Sequence, residues 1–249
     1  MLILLPPSET KRSGGRARPL DLSALALSRL LPQREAVAGA LVALSADEDA
    51  AARVLKLSAR QRGEIADNAA LRTAPTMPAV DRYTGVLYDA LDAASLDAAG
   101  RRWLGARVLI QSAPFGPVGA LDAIPAYRLS AGVSIPGIPP LRRVWADAAR
   151  AALADAAPRF VLDLRSEAYV ALGPVPAGTP SAYLRVVTDA GAGATRALNH
   201  FNKHAKGALV RRLAEDRPRV GSSAAFLAWA SGAGLLVRPG APGELDLVV

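Results

Sequence analysis

The 249 residues include no cysteine, two histidines and only four lysines among thirty basic side chains. Without cysteine there is no disulfide framework, no thiol nucleophile and no Cys-ligated zinc or iron–sulfur site, a composition that suits a reducing compartment. No window approaches the ~18 apolar residues needed to cross a bilayer. The opening run Met1-Leu2-Ile3-Leu4-Leu5 lacks a basic flank and is too short for a signal peptide, so a cytosolic protein is expected. Neither a GxGxxG turn nor a Walker A loop occurs, which argues against dinucleotide enzymes and P-loop NTPases. No cofactor is expected.

What is present is positive charge. Thirty Lys+Arg against twenty-two Asp+Glu give a formal net charge of +8 and a pI near 10.4. Such a balance points to an anionic partner, either nucleic acid or a phosphorylated small molecule. The arginines are spread as pairs (Arg101-Arg102, Arg142-Arg143, Arg211-Arg212) and form no single tract. Apolar residues make up 51% and charged residues 21%, the composition of a globular chain able to bury a substantial core.

Hydrophobic patterning predicts buried strands at residues 1–5, 107–112 and 160–164, and a half-exposed strand at 183–187. Closing strands are expected at 235–237 and 245–249. Helical spacing covers residues 20–71, with a first apolar face ending before Pro32 and a capping box of Ser45 and Glu48 opening a later helix. Further helices are expected at 141–157, 195–215 and 223–231, and 113–119 reads as a long Gly/Pro loop. Strands and helices mix without regular βα alternation. The expectation is an α+β fold: one domain, residues 1–249, with a mixed sheet flanked by helices in an irregular topology.

Lysine is so scarce that its placement is informative, because an ammonium differs from a guanidinium in compactness and in how readily its pKa moves. Lys11 falls in Ser8-Glu9-Thr10-Lys11, just past the first strand. Here Glu9 can act as a base, Lys11 can hold an anion, and the hydroxyls of Ser8 and Thr10 can donate to substrate oxygens. Lys203 and Lys206 fall in the 199–206 segment, which holds both histidines and two of the three asparagines. On a helix Asn199, Lys203 and Lys206 share one face. Paired ammonium groups there repel unless an anion lies across them. His200 and His204 stand at i, i+4, but with no HExxH glutamate and no cysteine, a metal site is not expected.

Two more clusters carry suitable chemistry. Ser112 and Gly116 enter the Gly/Pro loop, with Asp122, Tyr127 and Arg128 following; glycine permits close backbone approach, and Arg128 can grip an oxyanion, or simply pair with Asp122. Asp163, Arg165, Ser166 and Glu167 end the 160–164 strand, where a partly buried carboxylate has a perturbed pKa. An Asp163–Arg165 bridge is the structural alternative. Tyr83 and Tyr88, in Tyr83-Thr84-Gly85-Val86-Leu87-Tyr88, lead from a loop into a helix.

In order and spacing these segments resemble the YaaA family of bacterial peroxide-stress proteins. The resemblance runs from Leu5-Pro6-Pro7-Ser8-Glu9-Thr10-Lys11 through Tyr83–Tyr88, Ser112–Gly116, Leu121-Asp122, Tyr127-Arg128-Leu129 and Val161–Tyr169 to Lys203-His204-Ala205-Lys206-Gly207. Better-known members read Ser-Pro-Ala-Lys-Thr near the first lysine. Phe115 stands where tyrosine is usual and Gly119 where arginine is usual. The resemblance implies a cytosolic protein that limits free intracellular iron under peroxide stress. It also implies a basic cleft, likened to a helix-hairpin-helix site, that binds duplex or distorted DNA.

Two functions follow. The first is DNA binding without turnover, with Ser8, Thr10, Lys11, Arg128, Arg165, Asn199, Lys203 and Lys206 as the anion-binding set. The second is an enzyme acting on a nucleotide or other anionic small molecule, with Glu9, Lys11, Asp163 and Lys203 as its catalytic candidates. Carboxylates repel a phosphate backbone, so an enclosed cavity lined by both acids and lysines would favour the second. Iron binding through His200, His204 and carboxylates is a lesser third.

Overall fold

A computed structural model describes residues 1–190, 194–197 and 199–249, and of 189–200 it describes no side chain. The strands are β1 (Leu2–Leu5), β2 (Ala17–Pro19), β3 (Pro75–Pro78), β4 (Val108–Ser112), β5 (Gly116–Gly119), β6 (Ala123–Ile124), β7 (Val161–Asp163), β8 (Ser181–Ala190), β9 (Ala194–Ala197), β10 (Val237–Pro239) and β11 (Glu244–Val248). The helices are α1 (Leu31–Leu44), α2 (Glu48–Leu55), α3 (Glu64–Ala69), α4 (Ala79–Arg82), α5 (Val86–Leu91), α6 (Ala98–Arg107), α7 (Leu141–Asp155), α8 (Glu167–Val170), α9 (Asn199–Asp216) and α10 (Ser223–Gly232).

The main sheet runs in the order β10-β11-β8-β7-β1-β4-β5, with β9 paired to the far end of β8. Its middle five strands, β11 to β4, are parallel, and β10 and β5 close the edges antiparallel. A small antiparallel sheet, β2-β3-β6, lies apart. The arrangement is the expected α+β mixture.

The apolar runs are continuous because both sheet faces are covered. Ile3 and Leu5 face the large core with Ile110, Leu162 and Leu184, while Leu4 joins Leu109, Val161 and Leu153 of α7 on the other side. Within α7, Trp145 is fully buried and its indole N–H donates to Ala113 O at 2.9 Å.

Several expectations are corrected. Residues 113–119 form no long loop but a tight hairpin, with β5 wholly buried against β4. Proline is tolerated in β5 because it is an edge strand. Gly116 turns the hairpin at φ +65°, and a Cβ there would lie 2.7 Å from the Trp145 ring. Pro32 does not end a helix; it occupies the first turn of α1, where its missing N–H costs nothing. Asp47, not Ser45, caps α2 by accepting from Ala50 N–H at 2.9 Å, while Ser45 Oγ donates back to Leu41 O. Finally, 194–197 is the strand β9, not the first turn of the following helix.

α9 lies against α5 so closely that a Cβ on Gly207 would stand 2.1 Å from the carbonyl oxygen of Leu87. No side-chain adjustment relieves a clash with backbone. Gly207→Ala should therefore destabilise the fold by about 1–3 kcal/mol or more, read as a shifted midpoint in denaturant unfolding. An unchanged midpoint would mean that α9 can move away freely.

Candidate functional site: a cavity at the carboxyl ends of β1 and β7

The neighbouring strands β1 and β7 send their chains in opposite directions, β1 toward β4 and β7 toward β8. In parallel sheets the crevice beyond the carboxyl ends of two such strands is the natural ligand site. A cavity of about 940 Å³ lies there. Its walls are Pro6–Thr10 after β1, Thr84–Tyr88 at the start of α5, Leu164 and Ser166–Tyr169 after β7, Tyr183 on β8, and Asn202, Lys203 and Lys206 on α9.

The Ser8–Thr10 wall is held by local hydrogen bonds. Thr10 N–H donates to Ser8 Oγ at 3.3 Å, Thr10 Oγ1 donates to Thr84 O at 3.3 Å, and Thr84 Oγ1 donates to Thr10 Oγ1 at 3.0 Å. Gly85, at φ +93°, lets the two segments meet; a Cβ there would lie 3.4 Å from both Ser8 Oγ and Thr10 Oγ1. The Tyr88 hydroxyl donates to Pro6 O at 2.7 Å and pins the start of the loop.

Lys11 sits behind this wall, outside the cavity lining. Its ammonium donates to Ser8 O at 3.0 Å and Glu9 O at 3.3 Å, and lies 4.1 Å from the centre of the Tyr127 ring. Burial lowers its pKa to about 8, with Glu9 pulling the other way. Below it, Tyr83 and Tyr127 share a 2.7 Å hydrogen bond and Ser112 Oγ donates to the Tyr127 hydroxyl at 3.1 Å. Burial holds all three phenols, Tyr83, Tyr88 and Tyr127, above their usual range. This packed group positions the loop.

The other sequence candidates divide clearly. Arg128 is taken by carboxylates: it pairs with Glu9 at 3.3 Å and Glu64 at 3.4 Å. It makes no bridge to Asp122, whose Oδ2 instead accepts from Ala26 N–H and Gly119 N–H, each at 2.7 Å. Arg165 is fully buried and binds Asp163 with both arms, Nε to Oδ1 at 2.9 Å and an Nη to Oδ2 at 2.6 Å. Its remaining donors go to Gln111 Oε1 and Gly173 O. Among the sequence candidates Ser8, Glu9, Thr10, Tyr88, Ser166, Glu167, Lys203 and Lys206 line the cavity; Lys11, Tyr83, Ser112, Gly116, Asp122, Tyr127, Arg128, Asp163 and Arg165 do not. The side chains of Asn199 and His200 lie outside the described residues. His204 is exposed, and among the described residues no three His, Asp or Glu side chains are grouped to hold a metal ion.

Two lining groups lack partners. Lys206 is only 5% exposed, its ammonium lies 5.5 Å from the Tyr183 ring centre, and among the described residues it has no hydrogen-bond acceptor. Burial lowers its pKa to about 8, against the attraction of Asp163. Asn202 Oδ1 is closed off from the cavity and has no hydrogen-bond donor among the described residues. The largely buried Lys206 side chain thus brings a cation to the cavity wall with no acceptor among the described residues. Lys203, on the same helix, is exposed at the mouth.

The match to known proteins covers nearly the whole chain, since the family model for "Peroxide stress protein YaaA" matches residues 1–231. The chain belongs to the YaaA family. A UPF0246 protein of Corynebacterium efficiens is 45% identical over the full length of both chains. One from Streptomyces coelicolor is 47% identical over 86% of this chain and 82% of its own. Another, from Corynebacterium glutamicum strain ATCC 13032, is 41% identical over the full length of both. A peroxide-stress role is thereby supported for this YaaA-family chain. Thr84, Tyr169, Tyr183 and Asn202 are among the lining residues that sequence reasoning passed over. Asn202 stood one position before Lys203 in the same unusual segment, but its unmet acceptor is visible only in the folded chain.

The folded pKa of Lys206 lies below its unfolded value, so its burial costs stability below pH ~8 and the cost fades as pH rises toward the unfolded value. Lys206→Met should thus stabilise the protein by roughly 1–3 kcal/mol at pH 7, and the gain should shrink by pH 10 in paired thermal melts. By contrast Asp163→Asn strands a buried guanidinium and should cost about 3–5 kcal/mol; a melt unchanged at pH 7 would show that Arg165 finds other acceptors.

Proposed function

We propose that this protein serves the peroxide-stress role of its family by binding and acting on a nucleotide or other anionic small molecule in the cavity beneath α9. The observation that carries this reading is Lys206, a residue only 5% exposed with no acceptor among the described residues, on a cavity wall shared with Glu9 and Glu167. Acids and an ammonium of shifted pKa in one pocket are the equipment of a small-molecule site. A groove for duplex DNA has little use for carboxylates, which repel the phosphate backbone. The cavity lining contains two acids, two lysines and no arginine.

A second reading, duplex or distorted DNA held without turnover, draws on a different surface. Arg12, Arg16 and Arg18 are exposed and form no ion pair among the described residues, and the first two border a separate cavity of about 640 Å³. With the net charge of +8 they supply sequence-independent, salt-sensitive attraction for phosphate. A cytosolic role in limiting free iron, which the family resemblance suggests, can be served by either ligand.

Equilibrium titration separates them. Lys206→Ala should weaken a nucleotide or other small anion tenfold or more and leave duplex affinity unchanged. Affinity for the small anion should also fall as pH rises through about 8, where the ammonium loses its proton. Replacing Arg12, Arg16 and Arg18 together by Ala should do the reverse, reducing the salt dependence of duplex binding by about three phosphate contacts. Duplex affinity that depends on Lys206, with no small anion bound, would overturn the first reading.

A further inference from the structure

We propose that Lys206 is a nucleophile, whose side-chain nitrogen condenses with the carbonyl carbon of a small aldehyde or ketone that also carries a phosphate or carboxylate. This rests on the small-molecule reading above and names the substrate class and the first chemical step for that site.

Lysine and arginine are alike as positive charges but not as reagents, because a guanidinium stays protonated whereas an ammonium can release its proton and attack. The chain has four lysines among thirty basic side chains, and it gives buried structural positions to arginine, as at Arg34, Arg82 and Arg165. Of the four lysines, Lys56 and Lys203 are exposed, and Lys11 donates to Ser8 O and Glu9 O behind the cavity wall. Lys206 is the one that is buried and also lines the cavity, with no hydrogen bond or ion pair among the described residues. Its burial favours the neutral amine and brings the pKa to about 8, against the attraction of Asp163. About one molecule in ten then carries the free amine at pH 7, against roughly one in several thousand for an exposed lysine.

Imine formation also needs groups that move protons, and the lining holds them. Tyr183, whose ring centre lies 5.5 Å from the Lys206 nitrogen, is kept a neutral phenol by burial and by the carboxylates of Asp163 and Glu167. Glu167 lines the cavity and has no ion pair among the described residues, unlike Glu9, which is paired to Arg128. Lys203, exposed three positions before Lys206 on α9, meets the anionic group at the mouth.

The amine lone pair attacks the carbonyl carbon, and the carbonyl π pair moves to oxygen, which takes the Tyr183 proton. Glu167 removes a proton from the new ammonium and delivers it to the hydroxyl, which leaves as water as the C=N bond forms. The remaining nitrogen proton restores the phenol. Amine plus carbonyl gives imine plus water, with no change of oxidation state.

Reductive trapping tests this on the full chain at pH 7. Pyruvate, dihydroxyacetone phosphate or uncharged dihydroxyacetone is added with cyanoborohydride, which reduces an imine to a stable amine, and adducts are mapped by peptide mass spectrometry. At least one of the two anionic compounds should mark Lys206 tenfold or more above Lys11, Lys56, Lys203 and the amino terminus, and dihydroxyacetone should mark it at least tenfold less. Lys206→Arg should abolish the adduct yet keep affinity for inorganic phosphate within severalfold, and Lys206→Met should lose both. Tyr183→Phe should slow trapping about tenfold at unchanged phosphate affinity. Lys203→Ala should slow trapping of the anionic compounds severalfold and leave that of dihydroxyacetone unchanged. If Lys206 is spared while phosphate still binds in a manner that requires it, the nucleophile is overturned and the anion site stands. If Lys206 is spared and phosphate binding ignores it as well, the small-molecule reading itself falls.

Discussion

Asp163 serves two cations, and the division of its carboxylate between them sets the character of the cavity. Arg165 takes both oxygens in a planar two-point pair that has no exposure to solvent. Lys206 is left with the attraction of that carboxylate and donates no hydrogen bond to it. Were Arg165 a lysine, one ammonium could not occupy both oxygens, and Lys206 would be drawn down into a closed structural bridge. The guanidinium thus leaves the neighbouring ammonium outside the pair. The same pair fixes the chain as it leaves β7, because Arg165 N–H also bonds to Asp163 Oδ1, so Ser166 and Glu167 emerge at a defined angle to the wall opposite α9.

Buried arginine does related work elsewhere. Arg34 is fully buried and gives all its reach to main-chain oxygens: Phe115 O, Leu25 O, Ala26 O and Pro117 O. Arg82 does the same for Ile124 O, Arg12 O and Pro75 O. Irregular backbone buried beside a sheet leaves carbonyl groups that no ladder satisfies, and a forked cation with five donors answers several at once. Compositional preference for arginine over lysine is therefore only part of why this chain uses it. These side chains tie down irregular backbone beside the sheet, and their positive charge is turned inward.

What could be read in advance follows from which interactions are local. Strands β1, β4 and β7 were legible because each is an unbroken apolar run forced by burial on both faces. β5 was not, since Gly116-Pro117-Val118-Gly119 carries loop residues whose fitness for a strand depends on sitting at an edge against β4 and on Trp145 filling the space above Gly116. Pro32 looked like a terminator because proline breaks helices in their interiors; only the 3₁₀ turn at Ser28–Leu30 shows that a helix begins there. The Ser8–Lys11 and 199–206 segments announced themselves through rare residue types, and both do reach the cavity. Lys11 itself went to the tyrosine cluster behind the wall, a choice made by Tyr83 and Tyr127, which lie far away in sequence. No pattern in a single chain reports an unmet hydrogen bond, so Asn202 stayed hidden.

The absence of cysteine gains meaning from the family to which the chain belongs. A protein that meets peroxide through a thiol needs a low-pKa cysteine within reach of solvent, and this sequence has none. Burial lowers the pKa of two lysines to about 8, and neither forms an ion pair among the described residues. In Lys11 the aromatic rings and two carbonyl groups absorb the cost, and the side chain is finished as structure. Lys206 makes no hydrogen bond among the described residues, and the attraction of Asp163 opposes the cost of its burial. Burying that ammonium gives up stability, and natural chains commonly tolerate such a cost where function needs the group.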